Sequence, residues 1–459
     1  GGQVVMRKRC QEHGWFEALV FGDADLYTRI APYNKPGTIP LEFATEVKDG
    51  CPHDCGLCPE HQQHACLGIV EVNAACNLDC PLCFAGSGTH LAQSGFELTY
   101  EQVDFMLDRF VAAEGNPEVI QFSGGEPTLH PRILDFVELA QHKGIRYVMI
   151  NTNGIRIARD DRFLAGIARL KPQIYMQFDG FDAATNRALR GRPDLIDVKL
   201  RALDRLAEAD VRVVLVAAIE RGVNEHEIGP IVEFGLRHPA VFGVNFQPAF
   251  RAQRHLPGDP LTRITIPDVL KALESQTNSL FKLSDFVPVP CCMPTCNFVT
   301  YAMLDGDAVL PITRFLAIDQ YLDYLKNRTL PGLDDELLHA LERLWSSSAM
   351  AGSDHATADV QLTLSGHALP MQGRTVERCS ACHASLPLSA HTVRDLARHI
   401  FMINTRDFMD PWTFNVKNVM KCCVEFLVPD GRMIPFCAYN SVGYREQVTA
   451  QLMGDIRVV

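Results

Sequence analysis

The amino-acid sequence predicts an α/β protein whose centre is a partial (β/α)6 barrel, preceded by a cysteine-rich segment and followed by a second cysteine-rich region. Two observations favour this fold class. Short runs of branched apolar residues alternate with stretches of helical periodicity over residues 68–246. Polar residues or glycines follow directly on these runs. Such alternation is typical of a parallel sheet whose strands are joined by crossover helices.

The predicted elements follow one another regularly along the chain. The strands span residues 68–73, 118–122, 146–150, 173–178, 211–217 and 241–246, and helical stretches between them include 100–112, 131–142 and 195–209. In such sheets ligands bind beyond the carboxyl ends of the strands, so the residues that follow each strand are candidate site residues. We expect four segments: an N-terminal segment (1–48), a cysteine-rich loop (49–67), the barrel (68–255) and a C-terminal region (256–459).

Composition and charge narrow the class of protein. Hydrophobic residues make up 47% of the 459 residues and charged residues 21%, as in ordinary folded domains. The formal net charge of −12 disfavours a broad nucleic-acid-binding face, which needs an excess of cations. No apolar run has the length of a membrane span, and no apolar stretch follows the basic residues near the N-terminus. We therefore expect a cytoplasmic protein without a nucleic-acid partner, and peripheral membrane contact stays open. The first residue is glycine, so the natural chain can begin upstream.

The 16 cysteines occur in clusters, and in the absence of a secretion signal we expect them to be reduced. Closely spaced reduced thiols indicate metal binding. Cys76, Cys80 and Cys83 follow the first predicted strand with three and then two residues between them. Three thiolates leave one iron of a 4Fe–4S cluster without a protein ligand. A structural zinc site would need a fourth ligand, for which His90 is the alternative candidate.

Cys76, Cys80 and Cys83, together with the segment Gly124-Gly125-Glu126 after the second strand, resemble the motifs of the radical SAM superfamily. The resemblance implies a catalytic 4Fe–4S cluster whose open iron binds S-adenosylmethionine (SAM). It also implies cleavage of SAM to a 5′-deoxyadenosyl radical that abstracts hydrogen from a substrate. Glycines allow backbone carbonyls to approach the SAM ammonium group, and a glutamate adds a charged partner.

The resemblance further implies that the side chains at the barrel mouth surround SAM. The predicted SAM-binding residues are Phe84, Gly124, Gly125, Glu126, Asn151, Asn153, Gln177, Asp179, Glu220, Asn224 and Gln247. Most of them lie at or just after a predicted strand end. An alternative interpretation, in which the side chain instead caps the helix that follows, as Asn and Asp readily do, stands for seven of them: Asn151, Asn153, Gln177, Asp179, Glu220, Asn224 and Gln247.

A longer series of motifs resembles the tetraether lipid synthase group. In order between about residues 50 and 445, the series includes GCPHDCGLCPEHQQHACL, EVNAACNLDCPLCFA, FSGGEPTLHP, VPCCMPTC and MKCCVEFLVPDGRMIPFCAYN. This resemblance implies carbon–carbon bond formation between the tails of two phospholipids or other lipids, with an electron donor such as ferredoxin or flavodoxin. Two other functions stay open, namely a radical SAM methylase that acts on a pterin or a lipid, and an electron-transfer iron–sulfur protein.

The same group is implied to carry auxiliary 4Fe–4S clusters and a mononuclear iron. We expect two auxiliary clusters, for which the candidate ligands are Cys51, Cys55, Cys58, Cys291, Cys296, Cys422, Cys423 and Cys437. Cys51, Cys55 and Cys58 repeat the spacing of the SAM triad, but no barrel strand precedes them. Cys66 and Cys292 are spare thiols or replace one of the eight. The mononuclear iron would use Cys10 or the pair Cys379 and Cys382, and the alternative for Cys10 is a free thiol.

Overall fold

The structure is a computed structural model, and it describes residues 2–290, 292–305, 308–314, 362–364, 367–369 and 399–454. Its strands are β1 (Val4–Cys10), β2 (Gly14–Phe21), β3 (Leu67–Glu71), β4 (Val119–Ser123), β5 (Tyr147–Thr152), β6 (Gln173–Gln177), β7 (Val213–Ile219), β8 (Val241–Pro248), β9 (Val287–Pro288), β10 (Asn297–Asp305), β11 (Ala308–Pro311), β12 (Leu362–Leu364), β13 (His367–Leu369), β14 (Ile400–Arg406), β15 (Val424–Leu427) and β16 (Met433–Pro435).

The described α-helices lie mostly between the strands of the barrel. They are α1 (Ala24–Arg29), α2 (Tyr100–Glu114), α3 (Ile133–His142), α4 (Asp161–Leu170), α5 (Ala183–Arg190), α6 (Leu195–Glu208), α7 (Ile228–Arg237), α8 (Ile266–Gln276), α9 (Val416–Val419), α10 (Phe436–Ser441) and α11 (Tyr444–Leu452). None of these helices combines the length and the apolar character needed to cross a bilayer.

The predicted α/β fold class is confirmed, because β3 to β8 form six adjacent parallel strands with helices between them. Each strand is short and mostly buried, and the helices direct apolar residues onto the sheet. Phe110 of α2 and Phe136 of α3, for example, belong to the same buried cluster as Ile120 of β4. This packing fixes the carboxyl ends of six strands side by side at one rim of the sheet.

Two further parallel strands extend this sheet, and both come from the C-terminal region. Strand β14 pairs with β8 at one edge, and β15 pairs with β3 at the opposite edge. These strands were not predicted from the sequence, because no crossover helix of the usual length lies between them. The C-terminal region thus contributes walls to the mouth of the barrel. Strand β10 pairs with the outer edge of β14, and β16 pairs with the outer edge of β15.

The N-terminal segment forms the antiparallel hairpin β1–β2, which packs against the C-terminal region. Lys8 Nζ donates a hydrogen bond to the carbonyl of Pro411, at 2.6 Å. The ring of Phe16 lies edge-on to the ring of Trp412, with the centroids 5.8 Å apart. The N-terminal hairpin therefore contacts the segment that follows β14.

Candidate active site

A cavity of about 210 Å³ opens at the carboxyl ends of the parallel strands. Its walls contain most of the predicted site residues, namely Cys76, Cys80, Cys83, Phe84, Gly124, Gly125, Glu126, Asn151, Asn153, Gln177 and Gln247. They come from the loop after β3, the loop after β4 and the ends of β5, β6 and β8. The fold therefore brings these residues together around one space.

The three cysteines of the loop after β3 line this cavity together. Backbone hydrogen bonds between Cys83 and Arg254, at 2.9 and 3.1 Å, hold the end of the loop against the segment after β8. Burial, reinforced by the nearby Glu126 carboxylate, raises the pKa of the Cys76 thiol to about 12. Such a thiol becomes a thiolate only when a cation compensates the charge, as iron does in a cluster.

The donor set fits a 4Fe–4S cluster better than a zinc ion. The alternative fourth ligand, His90, is exposed and does not line the cavity, and its Nδ1 lies 3.9 Å from Asp79. Within the described residues, the cavity walls contain no histidine and no fourth cysteine. Three thiols facing open space suit a cluster with one iron left for an exchangeable ligand.

The two glycines after β4 allow two loops to pack in direct contact. Gly124 has a φ of +132°, which favours glycine, and a Cβ on Gly125 would overlap the carbonyl oxygen of Ala75. The backbone N–H groups of Gly125 and Glu126 donate to the carbonyls of Asn73 and Ala75, both at 2.8 Å. The glycines thus bring this loop against the loop that carries the cysteines.

The carboxylate of Glu126 is buried and joins three loops. Its Oε1 accepts hydrogen bonds from the Thr128 hydroxyl at 2.5 Å and the Thr152 hydroxyl at 2.6 Å, and its Oε2 accepts from the Asn153 N–H at 2.8 Å. Asn153 in turn donates from Nδ2 to Asn77 Oδ1 at 2.7 Å. Glu126 therefore fixes the geometry of the cavity wall in addition to contributing charge to it.

Asp179 differs from its predicted position, because it does not line the cavity. Its side chain is 0% exposed and forms a bidentate ion pair with Arg190, with both N–O distances 2.7 Å. Arg190 does line the cavity, and it donates to the carbonyl of Leu82 at 3.1 Å. Burial raises the pKa of the Cys80 thiol, and the positive charge of Arg190 opposes this rise. The residue at the cavity is thus Arg190 of α5, and Asp179 is the residue that positions it.

Glu220 and Asn224 also lie outside the cavity walls, contrary to their predicted place around SAM. Asn224 is buried and completes the turn after β7. Its Nδ2 donates to the carbonyls of Asp179 at 2.9 Å and Ala218 at 2.8 Å, and its Oδ1 accepts from the Glu220 N–H at 2.9 Å. The side chain of Asn224 thus satisfies backbone groups of the turn, and it makes no capping hydrogen bond to the short helix that follows.

The sequence analysis missed several polar residues of the cavity. Asn245 of β8 and Asn404 of β14 lie opposite each other in adjacent parallel strands and are 7% and 2% exposed. The Oδ1 atoms of both lack a hydrogen-bond partner among the described residues. Gln121, Tyr175 and Arg406 line the same space. Asn404 and Arg406 could be found only by recognising β14 as a barrel strand.

One wall of the cavity is aromatic. It consists of Phe84, Phe250, Phe408 and Phe436, and we call it the aromatic wall. The rings of Phe408 and Phe436 are stacked with their centroids 4.1 Å apart, and Phe250 lies 5.3 Å from Phe408. Two of the four rings come from the C-terminal region, so that region defines both a polar and an apolar part of the cavity.

The predicted auxiliary-cluster cysteines form a second group beside the barrel. Cys51, Cys55 and Cys58 line a small cavity together with His61. A single buried apolar cluster contains or contacts Cys51, Cys55, Cys66, Cys292, Cys296, Cys422, Cys423 and Cys437. Cys291 lies outside the described residues, as do Cys379 and Cys382. These cysteines therefore lie in one region of the molecule, which is formed by three distant segments of the chain.

Cys10 lies at the tip of the N-terminal hairpin. Its Sγ is 3.3 Å from Nδ1 of His13, and both residues are on the surface side of the molecule. None of the other described cysteines belongs to this hairpin. Within the described part of the chain, this hairpin therefore offers two donor side chains, Cys10 and His13, for the predicted mononuclear iron.

Three features together define a radical SAM enzyme: the loop after β3 with Cys76, Cys80 and Cys83 (the cysteine loop), the loop after β4 with Gly124 and Gly125 (the glycine loop), and the parallel barrel. Comparison with known proteins agrees. The family model "Radical SAM superfamily" matches residues 70–235. A 7,8-dihydro-6-hydroxymethylpterin dimethyltransferase of Methanocaldococcus jannaschii is 31% identical, over 97% of this chain and 90% of that protein. The chain therefore belongs to the radical SAM superfamily.

More distant relatives match only part of the chain. GTP 3′,8-cyclase of Geobacter sulfurreducens is 31% identical over 40% of this chain and 55% of that protein. Among solved structures, Streptococcus suis SuiB bound to S-adenosylmethionine is 16% identical with a TM-score of 0.38, and the match covers 47% of this chain and 48% of that one.

Proposed function

We propose that this protein is a radical SAM methyltransferase that acts on a carbon atom of a pterin or a related nitrogen heterocycle. The observation that carries the proposal is the pair of buried amide oxygens, Asn245 Oδ1 and Asn404 Oδ1, that line the cavity without a partner among the described residues. Buried polar atoms are almost always hydrogen-bonded, so a bound molecule with N–H donors suits this position. The dimethyltransferase of M. jannaschii supports the same substrate class by its name.

In this proposal Cys76, Cys80 and Cys83 hold the 4Fe–4S cluster. When bound, the cluster and SAM would supply the radical that activates the substrate carbon. A second SAM or another one-carbon donor would supply the methyl group, and a donor such as ferredoxin or flavodoxin the electron. The protein's own residues shape and insulate the site. Arg190 places a positive charge near the Cys80 thiol, and Glu126 holds the loops that face the SAM position. Both are fixed in place by buried hydrogen bonds, so the site is preorganised before SAM binds.

The remaining walls suit a flat heterocycle. The aromatic wall offers ring faces for stacking, which stabilises aromatic ligands beyond the burial of their surface. The amides of Gln121, Asn245 and Asn404 provide donors and acceptors for the ring edge. The aromatic wall also excludes water from the space in which a carbon radical would form.

A second candidate function is the joining of two lipid tails by a carbon–carbon bond. The aromatic wall favours it, because an apolar tail needs an apolar surface, and the ordered motifs of the tetraether lipid synthase group resemble those of this chain. The amides on β8 and β14 have no counterpart in an alkyl tail. This difference makes the two functions separable by experiment.

The test is an anaerobic reaction of the reconstituted protein with reductant and methyl-labelled SAM. A reduced 6-hydroxymethylpterin or a mixed phospholipid extract is the second substrate, and mass spectrometry quantifies 5′-deoxyadenosine and both products. Pterin-dependent deoxyadenosine with methyl groups added to the pterin is the expected result, and the label shows whether SAM or another one-carbon donor supplies them. A lipid product equal to two tails minus two hydrogens would establish the second function instead, and deoxyadenosine that responds to neither substrate would overturn both.

The Asn404→Leu variant tests the observation behind the proposal. Leucine has a similar volume but no amide, so we expect the apparent KM for the pterin to rise at least tenfold, the factor that corresponds to about 1.4 kcal/mol. Asn116→Leu, at an exposed position before β4, is the control and should leave the KM unchanged. Equal KM values for the two variants would contradict the assigned role of Asn404.

A further inference from the structure

Glu425 of β15 is a buried carboxylate without a compensating partner. Its side chain is 0% exposed, and neither Oε1 nor Oε2 has a hydrogen-bond partner among the described residues. The nearest basic group is the imidazole of His61, whose Nε2 lies 3.6 Å from Glu425 Oε1. That nitrogen already donates to the carbonyl of Cys422 at 2.9 Å. His61 therefore does not supply a hydrogen bond to the Glu425 carboxylate.

Glu425 lies beside several of the predicted cluster cysteines. In the sheet it pairs with Gly68 of β3 and with Pro435 of β16. Cys423 stands two residues before Glu425, Cys66 two residues before Gly68, and Cys437 two residues after Pro435. The backbone N–H of Leu67 donates to the carbonyl of Cys423 at 3.0 Å, and all three cysteines belong to one buried cluster. The carboxylate is therefore close to cysteines of three separate segments.

A buried carboxylate among thiols lowers the stability of the fold unless a cation is bound. Burial of an unpaired carboxylate costs several kcal/mol, and deprotonation of the surrounding thiols would add repulsion. A buried polar group without a partner in a native fold points to a missing ion or ligand. Thiolate and carboxylate ligands together attract iron, so the composition of this group identifies the kind of cation that it would hold.

The separation of the donors favours a cluster over a single ion. In the described part of the chain, no three of these thiol and carboxylate donors converge within 4.8 Å. The one group that does, Asp182, His226 and Glu227, lies elsewhere on the molecule. In that group Glu227 is already engaged, because it accepts from the backbone N–H groups of Phe181 and Asp182. The ligands of a cluster of several irons lie farther apart than those of a single ion. A cluster therefore suits the spacing of the thiols around Glu425 better.

We propose that Glu425 provides a carboxylate oxygen ligand to an auxiliary iron–sulfur cluster that is otherwise held by the thiols around it. The carboxyl proton is released to solvent when the oxygen binds iron. The inference rests on the auxiliary cluster of the radical SAM enzyme and does not depend on the identity of its substrate. Oxygen is a harder ligand than sulfur, so the iron bound by Glu425 is held less tightly than its neighbours.

The test uses the full chain in which Cys76, Cys80 and Cys83 are replaced by alanine, so that only auxiliary iron remains. Glu425→Gln and Glu425→Cys are compared with this parent by iron and acid-labile sulfide content, by EPR and by an EPR-monitored redox titration. We expect Glu425→Gln to lose one iron per chain and to show the signal of an oxidised three-iron cluster. Glu425→Cys should regain that iron and shift the cluster to a lower potential, because thiolate donates more charge than carboxylate.

Glu60→Gln is the matched control. Glu60 is exposed and lines the same small cavity as Cys58, so the substitution removes a charge near these thiols without removing the proposed ligand. We expect it to retain the full iron content.

The proposal is overturned if the parent holds no auxiliary iron, if Glu425→Gln keeps the iron and potential of the parent, or if Glu60→Gln loses the same iron. Loss of iron that Glu425→Cys does not restore would also overturn it, because this indicates a merely structural role. None of these measurements involves substrate. A failure of the proposed methyl transfer would therefore be distinguishable from a failure of the proposed role of Glu425.

Discussion

The Asp179→Asn substitution tests the ion pair that positions Arg190 at the cavity. Asparagine keeps the shape of aspartate and removes its charge. The Asp179 side chain is 0% exposed and that of Arg190 is 12% exposed, so water cannot replace the lost carboxylate. Arg190 would then keep its hydrogen bond to the carbonyl of Leu82 but lose the compensation of its charge.

The size of the effect follows from this burial. Removal of one partner of a buried ion pair costs about 3–5 kcal/mol. Because the Leu82 carbonyl and the small exposed fraction of Arg190 soften the loss, we expect the lower end of the range. A loss of about 3 kcal/mol corresponds to roughly a hundredfold change in the folding equilibrium.

The assay is urea denaturation of Asp179→Asn and of a matched surface variant, Asp161→Asn. Asp161 also pairs with an arginine, Arg205, but its side chain is 94% exposed, so its removal should cost no more than about 1 kcal/mol. Equal losses for the two variants would refute the reasoning that burial gives the Asp179–Arg190 pair its strength. The double variant Asp179→Asn/Arg190→Gln should regain part of the loss, since it leaves no buried charge.

Two further predictions concern the glycine loop and a buried lysine. In Gly125→Ala, the new Cβ would displace the carbonyl of Ala75, so we expect loss of the SAM-induced change in the cluster's EPR spectrum; an unchanged response would contradict the close packing of the two loops. Burial lowers the pKa of Lys199 to about 8, although its Nζ donates to the carbonyl of Gln177 at 2.6 Å. The unfolded chain therefore binds more protons than the folded one between pH 8 and 10.5, and the free energy of unfolding should rise with pH by about 3 kcal/mol from this group. Lys199→Met should remove this rise in urea titrations at pH 7.5 and 10, whereas parallel changes in both proteins would contradict it.

The barrel and the cysteine loop could be predicted from sequence because local signals specify them. Each of the six central strands is a separate apolar run that ends in polar residues or glycine, and Cys76, Cys80 and Cys83 stand within eight residues of one another. Strands β14 and β15 are also apolar runs, but no regular alternation with crossover helices marks them as strands of the barrel. Their places beside β8 and β3 depend on pairing with strands far away in sequence, which periodicity does not report.

The same distinction explains which site residues were misplaced. A polar residue after a strand can face the cavity, as Asn151 does, or satisfy backbone groups of the turn, as Asn224 does. Sequence alone does not separate these two uses, because both require the same residue type at the same position. Arg190 was missed because it ends helix α5, and only the folded chain brings it beside Asp179 and Cys80.

The pairing of β14 and β15 with opposite edges of the barrel has a consequence for how the chain folds. During synthesis, the free edges of β3 and β8 emerge long before the strands that cover them, and such edges can pair with other chains. Contacts such as that between the Tyr444 hydroxyl and the Pro52 carbonyl, 392 residues apart, form only at a late stage and slow the search for the native topology. Overproduction at low temperature or with chaperones should therefore increase the yield of folded protein, because it protects these edges until the last strands arrive.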